Sequence, residues 1–91
     1  MAKILKFRTP EKLFSHFTEH GEATKCDSAE EYLVKANLVI QNPKSQSKYE
    51  TDEEDNDRIF YLSETGEIVF VSAEGYIRTY FVVDDEYFDR Q

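Results

Sequence analysis

The chain is 91 residues long and carries 11 Lys and Arg against 19 Asp and Glu, a formal net charge of −8. That length admits one hydrophobic core, and 40% hydrophobic residues with seven Phe and six Tyr exclude a disordered acidic tail. No apolar run approaches the ~20 residues that span a bilayer, and the charge opposes whole-surface attraction to nucleic acid or anionic membrane.

The segment from Met1 to Lys6 is basic but lacks the apolar stretch of a signal peptide, and the lone Cys26 leaves no internal disulfide. Both features set the expectation of a reducing, cytoplasmic protein folded as a single domain over residues 1–91. A helical half is predicted over about residues 9–42. Thr9-Pro10 reads as N-cap and first helical position, where the missing proline N–H costs nothing. Leu13, Phe17 and His20 follow at helical spacing, Phe14 and His16 widen the stripe, and Gly21 is the stop. Ser28-Ala29-Glu30-Glu31 is a capping box, in which Ser and Glu each satisfy the other's backbone N–H. It opens a second helix carrying Tyr32, Leu33, Ala36 and Ile40 on one face, and Asn42-Pro43 ends it.

The period then changes. A short strand is expected around Lys48–Glu50, followed by an acidic loop over residues 51–57. Ile59–Leu62, Glu67–Val71 and Tyr76–Val83 are rich in β-branched and aromatic residues and form the sheet, residues 58–83. Their links, Glu64-Thr65-Gly66 and Ala73-Glu74-Gly75, suit antiparallel hairpins. Residues 84–91 read as an acidic tail. The expected architecture is therefore α+β: two N-terminal helices, then a three- to four-stranded antiparallel meander with the helices on one face.

Charge divides along the same boundary. Residues 1–50 hold eight bases and seven acids, a net of +1, whereas residues 51–91 hold three bases and twelve acids, a net of −9. The excess acid sits in two runs, Asp52, Glu53, Glu54, Asp55 and Asp57, then Asp84, Asp85, Glu86 and Asp89.

His16 and His20 lie four residues apart and project from one side of the first helix. As zinc ligands they fall short in number, because Cys26 belongs to no spaced motif and Glu does not directly follow the first His. Either both edge the core, or one serves as a general acid/base suited to neutral pH. On the last strand, alternation places Ile77, Thr79, Phe81 and Val83 on one face and Tyr76, Arg78, Tyr80 and Val82 on the other. Thr79 among apolar residues is either a satisfied core hydroxyl or the point where that face leaves the core. Arg78, between two tyrosines, reads first as a solvated charge lying along aromatic faces.

Three blocks, Leu13–Gly21 (LFSHFTEHG), Ser28–Ala36 (SAEEYLVKA) and Glu74–Phe81 (EGYIRTYF), resemble in order the signature blocks of a toxin ribonuclease superfamily. It unites barnase-like, EndoU, colicin D and RelE-type nucleases, and the chain is most similar to toxin domains of contact-dependent inhibition proteins and their phage-borne relatives. The resemblance implies metal-independent RNA cleavage, commonly of tRNA, by 2′-hydroxyl attack on the adjacent phosphate. It needs no cofactor and implies RNA, commonly tRNA, as partner; a chain that only binds would instead take a basic protein partner or an immunity protein. By the same resemblance His20 is the general acid/base, Thr79 binds the scissile phosphate and Phe81 stacks on or shapes a pocket for a base. His16 joins the substrate-binding set, and Arg78 and Lys25 are the nearest phosphate cations. The chain departs from the family at Glu19, where Lys is common, and at Lys25-Cys26, where Phe-Gly is common. The alternative is a non-catalytic acidic binder or inhibitor of the same fold, occupying a partner's basic groove through Asp52, Glu53, Glu54, Asp55, Asp57, Asp84 and Asp85.

Overall fold

A computed structural model describes residues 4–49 and 57–89. Helix α1 spans Pro10–His20 and α2 spans Ala29–Gln41; strands β1 Gln46–Tyr49, β2 Arg58–Leu62, β3 Glu67–Val71 and β4 Ile77–Val82 follow, then a short helix α3, Asp85–Asp89. The four strands form one antiparallel sheet in the order β1-β2-β3-β4. The expected α+β architecture is thus observed. Within it, α3 is new: five residues of what reads as an acidic tail are helical and bury Phe88. Among the described residues, no helix is long and apolar enough to cross a membrane.

Local sequence explains the helix ends. Thr9 caps α1, its hydroxyl accepting from the Lys12 backbone N–H at 3.2 Å. Ser28 caps α2 by accepting from Glu31 N–H, while the Glu31 carboxylate accepts from Asp27 N–H, one residue upstream of the position a reciprocal capping box uses. Gly21 ends α1 with a right-handed φ of −58°, so backbone freedom does not explain it. Packing does: a Cβ there would lie 2.6 Å from the Phe17 carbonyl oxygen and 2.8 Å from its ring. Gly66 and Gly75 take φ of +78° and +96°, the left-handed backbone that the two hairpin links need.

The central strands β2 and β3 bury residues almost continuously because both of their faces are covered, whereas β1 is largely exposed. On one face, Phe60, Leu62, Val69, Val71, Ile77 and Tyr80 meet Tyr32, Ala36 and Val39 of α2, with Phe7 and Cys26 completing the cluster. On the other, Ile59, Tyr61, Ile68 and Phe70 gather beneath Phe88 of α3, with Phe81, Val83 and Tyr87 at the border. Tyr61 stacks on Phe88 at 4.7 Å and donates its hydroxyl to Asp85, and Lys48 donates to the Phe88 carbonyl from above its ring.

Strict alternation fails in β4. Val71 pairs with Ile77 and Phe70 with Thr79, so Arg78 is an extra residue in the ladder. Ile77 therefore joins Tyr80 in the helix-side core, whereas Thr79 and Phe81 remain together. The shift coincides with a second contact at the outer edge of β4. Phe7 forms a parallel bridge with Ile77, whose N–H donates to the Lys6 carbonyl at 2.8 Å. Buried Asn37 holds the same N-terminal segment through two hydrogen bonds to the Leu5 backbone. These contacts set α1 beside the edge of β4.

Candidate functional site at the edge of the sheet

The docking of α1 brings one helix stripe against the bulged strand. His16 and His20, one helical turn apart, have ring centroids 6.1 Å apart. His16 Nδ1 lies 3.3 Å from Thr79 Oγ1, and its ring also packs against Phe7 at 5.4 Å. His20 stacks on Phe81 at 5.3 Å. Phe81 is further engaged by Phe70, parallel to it at 6.0 Å, and by Tyr87 edge-on at 5.7 Å. The three residues that the blocks single out, His20, Thr79 and Phe81, are thus gathered with His16 around one strand edge.

The two histidines differ in surroundings. Burial of the His16 ring, together with the positive charges of His20 and Lys12, holds its pKa below the usual imidazole value of 6.5 against an opposing pull from Glu19. A neutral imidazole offers a proton acceptor at one nitrogen and a donor at the other, and the Thr79 hydroxyl bonds either form. His20 has the Glu19 carboxylate 3.8 Å from its Nε2.

In front of this pair is a groove of about 910 Å³, bounded by Arg8, Lys12 and His16 on one side, by Arg78 and Thr79 on β4, and by Tyr87 of α3. The bulge matters here: it lets Arg78 and Thr79, although consecutive, both line the groove. Arg78 donates two hydrogen bonds to Asp57, at 2.9 and 3.2 Å, and the Asp57 side chain is only 4% exposed while Arg78 remains 48% exposed. Arg8 pairs with Glu74 and lies 4.7 Å over the Tyr76 ring. Two of the three groove cations are thus held by carboxylates, a geometry that orients the guanidinium groups while reducing their net field.

Lys25 is not part of this groove; it borders separate depressions beside α2, in a left-handed turn with φ of 59°. Arg78 is an ion-paired groove residue rather than a charge solvated between Tyr76 and Tyr80. Lys12 was available to inspection, since it precedes His16 by the same four residues that separate His16 from His20. Tyr87 carried no signal, because its helix is too short for a period to show.

Asp52, Glu53, Glu54 and Asp55 lie outside the described residues. The described members of that acidic set make internal contacts. Asp57 is buried against Arg78, Asp84 accepts from the Tyr87 backbone N–H, and Asp85 accepts from the Tyr61 hydroxyl. Burial and the Asp85 carboxylate push the Tyr61 phenol up to about 12. Among the described residues no three of His, Cys, Asp and Glu gather as metal ligands would. Comparison of the sequence with known protein families and with curated proteins gave no match.

Proposed function

We propose that this chain is a metal-independent RNA endonuclease of toxin type, acting on tRNA or a similar structured RNA. The observation that carries the reading is the contact of His16 with Thr79 while His20 stacks on Phe81. It joins residues of the first and last signature blocks, and its His16 and Thr79 line a groove with Arg8, Lys12 and Arg78 while His20 and Phe81 pack outside that lining. In this reading the two histidines share acid/base work: one takes the proton from the ribose 2′-hydroxyl as it attacks the phosphate, the other returns a proton to the departing 5′-oxygen. Thr79 donates to a phosphate oxygen, and Lys12 and Arg78 offset the charge that builds there. Phe81, already enclosed by three rings, shapes the site by fixing His20.

The test is incubation of purified protein with total tRNA in EDTA. Discrete fragments are expected from the wild type and none from His16→Ala or His20→Ala. Intact tRNA after prolonged incubation with folded wild-type protein overturns the reading.

A further inference from the structure

We propose that the groove takes a single-stranded segment of RNA whose bases lie on Tyr76 and Tyr87, which line it together with His16 and Thr79. This rests on the nuclease reading and adds the kind of RNA that the site accepts. The ring that the sequence singles out for a base, Phe81, does not line the groove and packs against His20, Phe70 and Tyr87. The groove itself is lined by Phe70, buried in the sheet, and by two tyrosines, Tyr76 and Tyr87. Tyr76 is 38% exposed just before β4 and carries the Arg8 guanidinium against its ring. Tyr87 is half-buried on α3 and sits edge-on to Phe81, near the other end of the strand.

Chain order along β4 gives the arrangement. Tyr76 precedes β4, Thr79 follows within it, and Tyr87 meets Phe81 farther along the strand, so both tyrosines border the same groove as the Thr79–His16 contact. At ~3.3 Å per extended residue, Tyr76 to Phe81 spans roughly 16 Å, shortened somewhat by the bulge. That is the reach of a short run of unpaired nucleotides. Arg8 beside Tyr76, with Lys12 and Arg78 nearer the centre, supplies cations along the track that a sugar-phosphate backbone would follow. Aromatic platforms interleaved with cations are the means by which proteins hold unstacked bases, and they discriminate against duplex, whose bases are stacked on each other.

The test is fluorescence anisotropy at low salt with a short fluorescein-labelled 2′-O-methyl oligoribonucleotide, which the proposed chemistry cannot cleave, and with the same strand annealed to its complement. Tighter binding of the single strand is expected, weakened about tenfold by Tyr76→Ala and by Tyr87→Ala and little changed by Tyr76→Phe or Tyr87→Phe. Should Tyr87→Ala loosen α3, the exposed Tyr76 and a wild-type photocrosslink carry the test: 4-thiouridine in the strand should attach at Tyr76 or Tyr87. Alanine variants that bind like wild type, crosslinks elsewhere, or equal affinity for duplex overturn the two-tyrosine site while leaving cleavage untouched. Absence of any wild-type binding, with no cleavage of tRNA, removes the nuclease reading itself.

Discussion

On the helix side of the sheet, Tyr32 and Tyr80 are wholly buried and joined, with the Tyr32 hydroxyl donating to the Tyr80 carbonyl and the Tyr80 hydroxyl to Glu67. Burial and, for Tyr80, the Glu67 carboxylate push both phenols far above their ordinary range, so both stay protonated donors. The opposite face has a five-residue helix as its cover, and beside that cover lies the groove lined by Arg78, Thr79 and Tyr87. One face is closed for stability and the other is left partly open. Polar groups on the closed face are enclosed with their partners, whereas Arg78, though paired with Asp57, stays half exposed at the groove.

The sharpest way to test that difference is Tyr80→Ala, which removes a fully buried ring and its hydroxyl's hydrogen bond to Glu67 while keeping the backbone carbonyl that Tyr32 bonds. It should cost about 4 kcal/mol in urea denaturation, close to the whole stability of a domain this size. Phe88→Ala should cost less, about 3 kcal/mol. Its effect should be regional: amide exchange rises in Asp85–Asp89 while β2 and β3 keep their protection. Loss of protection across the entire sheet would show that the two faces are one cooperative unit.

Under the proposed nuclease function His16→Ala should invert the pattern, lowering tRNA cleavage about a hundredfold or more while shifting the urea midpoint little. Asp57→Asn should weaken proposed cleavage only several-fold by loosening the hold of the Asp57 carboxylate on Arg78 Nη1, and cost about 1 kcal/mol of stability. The smallest effect is on pH dependence. Because His16 binds its proton less readily when folded, protonation favours the unfolded chain, and its contribution is lost as pH falls below 6.5. Thermal melts at several pH values should therefore show a steeper acid decline for wild type than for His16→Gln. Parallel declines would remove His16 from that account.

Features dictated by neighbouring residues could be read directly. Thr9-Pro10, Ser28 with Glu31, and the glycines at 66 and 75 each act within a few positions, and each marks the element boundary expected from it. The continuous apolar strands likewise announced a sheet. What stayed hidden depends on distant partners. Nothing around Arg78 announces a bulge, because it arises where the strand accommodates both Val71 and the Phe7 segment. Helix α3 offers only Tyr87 and Phe88 among carboxylates, and Phe88 becomes a core residue only when the second sheet face exists to receive it. For the site, the residue types were legible from the blocks. The sequence did not show that His16, not His20, bonds Thr79, because equal helical spacing makes the two histidines equivalent until α1 is docked.

The contact between Phe7 and Ile77 has a consequence in time. Closing the groove requires His16 to find Thr79, 63 residues away, after the segment before α1 has been stitched to the last strand. Contacts of such separation carry a large loop-closure cost and form late, whereas α2 and the β2–β3 hairpin can form locally. A nascent chain would thus hold its helices and central hairpin well before it held a reactive edge. Any activity of the groove would begin only with the final closure of the fold.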